Sequence, residues 1–303
     1  MAENLDCLII GGGPAGLTAA IYLARFHLKI IVADDGNSRA LQIPLTRNHA
    51  GFPKGISGTD LLRRMRVQAL KYGVGFIDTH IDRLQAADDG FQAEVGASLV
   101  SARSVLLATG VTNRRPAIPE DLHANALRRG QLRYCPVCDG YEVTDQDVAV
   151  IGRDARALSE CIFLRSFTDR VTLVLDDRSE LTDLDLDRVR TIGVTIVGGR
   201  PKDFVLDPSR IHFWVGEHFM TFDAIYPALG SEVHSELAAS AGATLTEEGC
   251  VKVDAHQRTD VSGLYAAGDV VVGLDQISHA MGEAGVAATT IRNDLASAMP
   301  ILR

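Results

Sequence analysis

Cys135-Pro-Val-Cys138 holds the most reactive side chains of the chain, two thiols separated by two residues. That spacing permits a small disulfide ring, and the reduced form of such a pair has a lowered thiol pKa, so the sulfurs can cycle between dithiol and disulfide. The competing use of the spacing is half of a zinc site, which needs two further ligands at metal-site spacing. No second CxxC and no paired-histidine motif occurs, so no metal is expected. Cys7, Cys161 and Cys250 stand alone, and with Trp214 they lie on strand or helix patterns and are expected in the core. One close pair among five cysteines makes no structural disulfide framework.

The second chemical feature is Gly11-Gly12-Gly13-Pro14-Ala15-Gly16, a GxGxxG loop that follows an apolar strand and opens a helix. Bare glycines there let backbone amides approach a pyrophosphate at the positive end of the helix. Asp34 stands eighteen residues beyond Gly16 at the end of the next strand, where a carboxylate can accept hydrogen bonds from a ribose; Asp35 competes for that role. The loop alone does not say which dinucleotide it holds.

The elements that position these residues occur twice. Asp6 to Gly11, Leu17 to Phe26 and Lys29 to Asp34 read as strand, helix and strand, and Asp147 to Gly152, Leu158 to Phe167 and Arg170 to Leu175 read the same way. Each copy continues into short strands, Phe76 to Val105 and Val194 to Phe222, and then a closing strand, Ser104 to Gly110 and Ala224 to Gly230. The fold class is therefore α/β, with two dinucleotide-binding, Rossmann-like domains. A last strand, Gly263 to Asp269, and an Ala-rich helix from about Ser278 to Leu295 have no counterpart in the second copy. They are expected to return to the first domain, which gives residues 1–113 and 246–303 to one domain and 114–245 to a second inserted into it. Hinges are expected at Val111 to Pro119 and in the Gly230 to Gly249 region.

With 303 residues the chain exceeds one ordinary domain, and 30 basic against 39 acidic residues give a formal charge of −9. That balance speaks against nucleic acid or an anionic membrane as partners of the whole protein. Cys7 to Ala24 carries no charge, yet its central glycines and proline would break a spanning helix and no basic segment precedes it. A cytoplasmic location is expected.

The order of these parts, with Cys135-Pro-Val-Cys138-Asp139-Gly140, resembles the low-molecular-weight thioredoxin reductases from end to end. The resemblance implies FAD as cofactor, a homodimer, and a thioredoxin-like protein or another dithiol substrate as partner. It implies that Cys138 faces the flavin, that Cys135 attacks the partner disulfide and that Asp139 serves as acid and base. Gly268-Asp269 resembles the second flavin fingerprint of such proteins, where the aspartate binds the ribitol chain. The implied FAD site comprises Gly11, Gly12, Gly13, Pro14, Ala15, Gly16, Asp34, Asn48, Ala108, Thr109, Gly110, Gly268, Asp269, Gln276 and Ile277. Gln276 precedes a helix whose N-terminus would stabilise an anionic reduced flavin, and Asn48 could equally be a turn residue.

The sequence departs from the family at the second nucleotide loop, Gly152-Arg153-Asp154-Ala155-Arg156-Ala157. Asp154 replaces the central glycine and puts a carboxylate where a pyrophosphate needs bare backbone. The next strand end, Asp176-Asp177-Arg178, carries acids where a 2′-phosphate would need arginines. Loss of nicotinamide binding is the expectation, with NADH and NADPH as alternatives, since Arg153 and Arg156 could partly compensate. Some family members take electrons from ferredoxin instead, and Arg114, Arg115, Arg128, Arg129 and Arg133 form either a solvated face or a docking patch for an acidic carrier such as ferredoxin or flavodoxin. After the pair, Tyr141 is followed by Glu142, one aromatic where thioredoxin-docking relatives have two. Electron flow from thiols to oxygen (a dithiol oxidase) and a non-catalytic flavin redox sensor stay open, as does a second flavin in the second fold. His49 and His279 fall near the implied flavin and are read as packing or surface residues.

Overall fold

The computed structural model describes residues 5–96, 98–176 and 181–301. The chain begins with β1 (Cys7–Ile10), α1 (Pro14–Arg25), β2 (Ile30–Asp34), α2 (Gly58–Lys71) and β3 (Gly75–Asp78). A meander of β4 (Leu84–Ala87), β5 (Gly90–Val95) and β6 (Ser98–Ala102) leads to β7 (Val105–Leu107) and β8 (Val111–Asn113). Next come α3 (Glu120–Arg129), α4 (Pro136–Asp139), β9 (Val148–Gly152), α5 (Ala155–Leu164), β10 (Val171–Leu175) and α6 (Asp183–Thr191). The second copy closes through β11 (Thr195–Gly198), β12 (Pro201–Leu206), β13 (Ile211–Val215), β14 (His218–Phe222) and β15 (Ala224–Ala228). The chain ends with β16 (Ser231–Val233), α7 (Glu236–Ser240), β17 (Leu264–Ala266) and α8 (Ile277–Ala298).

Two parallel sheets organise these elements. The first has the order β17-β7-β1-β2-β3 and the second β11-β10-β9-β15. β1 and β9 are buried along their whole length, which is why both read as unbroken apolar runs. The late strand β17 pairs with β7, Leu264 opposite Val105, so the chain returns to the first sheet after completing the second. α8 follows and packs on α1 through Ala284, Ala287 and Ala288 against Ala19, Ala20 and Leu23; small side chains let the two helices approach closely. This architecture is the α/β class expected, with two sheets of the dinucleotide-binding kind. Among the described residues no helix is long and apolar enough to cross a membrane.

The two segments expected as hinges pair with each other. β8 and β16 form an antiparallel ribbon, Val111 opposite Val233, so the chain passes between the sheets on two hydrogen-bonded strands side by side. Two core assignments are corrected. Trp214 is 38% exposed, because the alternation of β13 buries Ile211, Phe213 and Val215 and turns Trp214 outward against Phe219. Cys250 is only partly buried, in a turn where its N–H donates to Thr246 Oγ1 at 3.1 Å, whereas Cys7 and Cys161 are fully buried as expected.

Candidate active site

A cleft of about 1020 Å³ lies at the ends of the first sheet and reaches the segment before β9. Its walls include Gly11, Gly12, Gly13, Pro14, Ala15, Asp34, Asn48, Ala108, Thr109, Gly110, Cys135, Cys138, Asp139, Gly268, Asp269, Gln276 and Ile277. Of the residues expected in the site only Gly16 stands behind the wall, where a Cβ would come within 1.9 Å of the Gly11 carbonyl oxygen. It lets α1 sit against the loop.

The glycine loop is a cradle that side chains would fill. Gly11 has φ +109° and a Cβ there would fall 2.2 Å from the Ala108 carbonyl oxygen, while one on Gly12 would fall 2.2 Å from Asp34 Oδ2. Gly12 N–H donates to Asp34 Oδ1 at 3.1 Å, so Asp34, rather than Asp35, is the acid bound to the loop. No side chain caps α1, whose N-cap is Gly13 and whose first turn holds no acid. These uncapped amides at a positive helix end fit a dinucleotide pyrophosphate. Gly11→Ala is expected to cost at least about 1–3 kcal/mol from the positive φ alone and to close the cradle to a pyrophosphate. A thermal melt and the amount of dinucleotide retained after native purification check this.

Across the cleft, Cys135 and Cys138 form a disulfide with Cα atoms 5.2 Å apart. Cys135 caps the short α4, and Cys138 N–H donates to Cys135 Sγ at 3.1 Å. Facing them is Gln276, the N-cap of α8, whose Nε2 lies 3.2 Å from Cys135 Sγ and 3.1 Å from Cys138 Sγ. Asn48 Nδ2 donates to Gln276 Oε1 at 2.9 Å, so Asn48 is built into this network rather than serving a turn. Asp269 is held by Arg39 at 3.1 Å, and burial followed by repulsion from Asp275 pushes its pKa up. Gly268 N–H donates to Glu283 Oε2 at 2.8 Å, and His279 Nε2 sits 3.0 Å from Glu283 Oε1. His279 thus braces the Gly268-Asp269 turn from behind, and His49 contacts Ser278 Oγ at 3.3 Å; neither lines the cleft.

Asp139 follows the pair and is mostly buried. Arg133 Nη1 donates to its Oδ2 at 3.0 Å and the Tyr226 hydroxyl donates to its Oδ1 at 3.1 Å. Burial outweighs both and raises its pKa above the ordinary carboxylate value. Arg133 therefore leaves the basic surface patch expected from the sequence, a correction that its contact with Asp139 explains. Arg114, Arg115, Arg128 and Arg129 stay exposed, with Arg128 on Asn125 and Arg129 on the Asp207 carbonyl. Tyr226 was not foreseen: aligning the closing strands on Gly110 and Gly230 sets it opposite Leu106, a polar tip where the first copy is apolar. Tyr141 is 79% exposed beside the pair.

The second glycine loop is closed by its own side chains. Asp154 is the N-cap of α5, its Oδ1 accepting Arg156 N–H at 3.0 Å while Oδ2 holds the Arg156 guanidinium at 3.0 Å. Arg156 lies over Gly230, where a Cβ would fall 2.3 Å from its Nη1. Glu160, one turn further along α5, is pushed up to about 7 by burial and by the nearby Asp154. Asp176 N–H donates to the Gly152 carbonyl at 3.1 Å, and Asp177 and Arg178 lie outside the described residues.

Residues 5–284 match the family described as pyridine nucleotide-disulphide oxidoreductase. A thioredoxin reductase from Mycolicibacterium smegmatis is 32% identical over 281 residues, 88% of this chain and 88% of that protein. One from Streptomyces coelicolor is 30% identical across 100% of this chain and 95% of its own length. Among solved structures, thioredoxin reductase from Streptococcus pyogenes superposes with a TM-score of 0.90 at 27% identity, covering 98% of this chain and 100% of that one. With two Rossmann-like sheets, a glycine cradle and a redox-capable disulfide on one cleft, the chain belongs to the pyridine nucleotide-disulphide oxidoreductase family and is a thioredoxin-reductase-like disulfide oxidoreductase.

Proposed function

We propose that the protein is an FAD-dependent thiol–disulfide oxidoreductase that reduces a thioredoxin-like partner and takes its electrons from an acidic carrier of ferredoxin type instead of NADPH. The observation that carries this reading is the contrast between the two glycine loops. α1 offers uncapped amides to a pyrophosphate, whereas Asp154 occupies a first-turn amide of α5, that of Arg156, with its own carboxylate. A nicotinamide dinucleotide would have to displace that cap and bring its phosphates against the charge of Asp154, with Glu160 close by.

Residues 1–113 and 246–303 form the FAD domain in this proposal, and 114–245 the inserted redox domain; β8 supports the first boundary, whereas Leu237 and Ala238 of α7 pack with Leu8 and Val105 of the first sheet, which sets the return crossing nearer β16. Gly11 to Gly16 and Asp34 would hold the adenosine and pyrophosphate, with Asn48, Ala108 to Gly110, Gly268-Asp269 and Gln276-Ile277 around the rest of the cofactor. Bound FAD would supply two-electron exchange with the disulfide. The Cys135 thiolate then attacks the partner disulfide, and Cys138 resolves the mixed disulfide, releasing the partner as a dithiol and re-forming Cys135–Cys138. Exposed Arg128 and Arg129, which also line the cleft, support an acidic donor, and the thioredoxin reductases among the relatives support a thioredoxin-like acceptor; a homodimer is part of the proposal.

The test is anaerobic bleaching of the oxidised flavin absorbance. Reduced ferredoxin is expected to act at least about a hundredfold faster than NADPH or NADH, since opposed like charges cost several kcal/mol. Rapid bleaching by either nucleotide would overturn the donor assignment while leaving the disulfide chemistry intact.

A further inference from the structure

We propose that Gln276 holds the thiolate of the reduced pair, its side-chain amide donating to whichever of the two sulfurs carries the charge. The inference rests on the reading of Cys135 and Cys138 as the working pair and assigns a role to a residue 138 and 141 positions away from them.

The geometry makes the amide a directed donor. Nε2 meets both sulfurs, at 3.2 and 3.1 Å, and Oε1 is engaged on its other side by Asn48 Nδ2 at 2.9 Å. Asn48 is oriented in turn, because its Nδ2 also reaches the Val137 carbonyl, which can only accept, at 3.5 Å, while its Oδ1 accepts from Thr46 Oγ1 at 2.9 Å. Thr46 is buried, and its backbone exchanges hydrogen bonds with Ile56 at 2.9 and 3.0 Å, so the row ends on fixed chain. Donation from Asn48 forbids the flipped amide, which would set two donors face to face and turn a carbonyl oxygen toward the sulfurs. Gln276 also heads the 22-residue α8, and no side chain caps that helix, so its positive end lies at the pair.

Hydrogen bonds to an anion favour it over the neutral thiol. The two sulfurs are not equal in this respect: Cys135 Sγ also receives Cys138 N–H at 3.1 Å, an N–H it shares with the Cys135 carbonyl at 2.9 Å, so it has a second donor that Cys138 lacks. The charge therefore settles on Cys135, the thiol that attacks the partner. The other titratable and charged groups around the pair are Asp139 with Arg133, Tyr134, Arg47 with Glu142, and Asp275 with Arg39. Each is paired or packed elsewhere, and the Gln276 side chain bonds instead to Asn48 and the two sulfurs.

The experiment measures alkylation of Cys135 by iodoacetamide against pH in holoenzyme reduced with a phosphine, resolved by peptide mass, with flavin content recorded for each variant. Gln276→Leu is expected to raise the midpoint by about one pH unit and slow alkylation at pH 7 about tenfold. Asn48→Leu should raise the midpoint by a smaller step without touching either sulfur and without adding charge, because Gln276 Oε1 loses its donor and the amide becomes free to turn its oxygen toward the sulfurs. A space-filling role of Gln276 would not produce that shift. An unchanged profile in both variants rejects the inference, and if Gln276→Leu does not fold, Asn48→Leu alone decides. Turnover that survives loss of Cys138 would instead remove the working-pair reading and leave this thiol measurement standing.

Discussion

Replacing Cys138 by serine is expected to leave the protein folded and flavin-bound while lowering disulfide turnover by at least about a thousandfold. Serine is close to cysteine in size, and the site is half-exposed rather than packed, so little stability is at stake. The cradle that would hold the cofactor is made of Gly11 to Gly16 and Asp34, none of which touches Cys138. What is lost is the resolving sulfur. Cys135 retains Gln276 Nε2 and the backbone N–H of residue 138 as donors, so it still attacks a partner disulfide. The resulting mixed disulfide has no second thiol to break it, and a covalent adduct should accumulate on a non-reducing gel. Full turnover in this variant, or failure to trap any adduct with a thioredoxin-like partner, would reject the pair as the working dithiol.

Repetition made the fold legible. Gly11 and Gly152 each end an apolar run and open a helix, and a motif found twice at matching positions is strong evidence where one copy is weak. The cleft was legible for the same reason, since each flanking motif belongs to a strand end or helix start whose place in a parallel sheet is fixed by topology. Side-chain partnerships between distant segments were not. Nothing local in Gln276 says that it will meet sulfurs 138 and 141 residues away, and Arg39 shows no sign of reaching Asp269. Arg133 read as one of five surface charges until its contact with a buried acid appeared. Trp214 was misplaced because the strand was recognised without its parity, and a shift of one residue exchanges core for solvent. At Asp154 the sequence showed a missing glycine; only the structure shows that its carboxylate caps the helix it opens, which turns an absence into an occupied site.

Asp139→Asn is expected to lower turnover about a hundredfold or more, the range for loss of a positioned acid, while retaining the hydrogen-bond shape of the site. The side-chain amide introduced by this change could still accept from Arg133 through its oxygen and donate to the Tyr226 oxygen through its nitrogen, so the loss would reflect the proton rather than the packing. The pH dependence gives the argument its sign. Burial favours the neutral carboxyl and raises the Asp139 pKa, while Arg133 at 3.0 Å and the Tyr226 hydroxyl at 3.1 Å pull it back by stabilising the anion. Glu142 adds a further push upward, tempered by its own pairing with Arg47 at 3.7 Å. A proton is therefore kept to higher pH than on an exposed aspartate, available to a departing thiolate, and the rate supplied by this acid falls as pH rises through the shifted value. Tyr226→Phe removes one donor from the anion and must raise the pKa further, so the falling limb of kcat/KM against pH moves to higher pH. Arg133→Met should move it further in the same direction, because a charge and a hydrogen bond are lost together. A destabilised fold would scale the whole profile down without moving it. A limb that stays in place in both variants, or full activity in Asp139→Asn, would show that the proton comes from elsewhere.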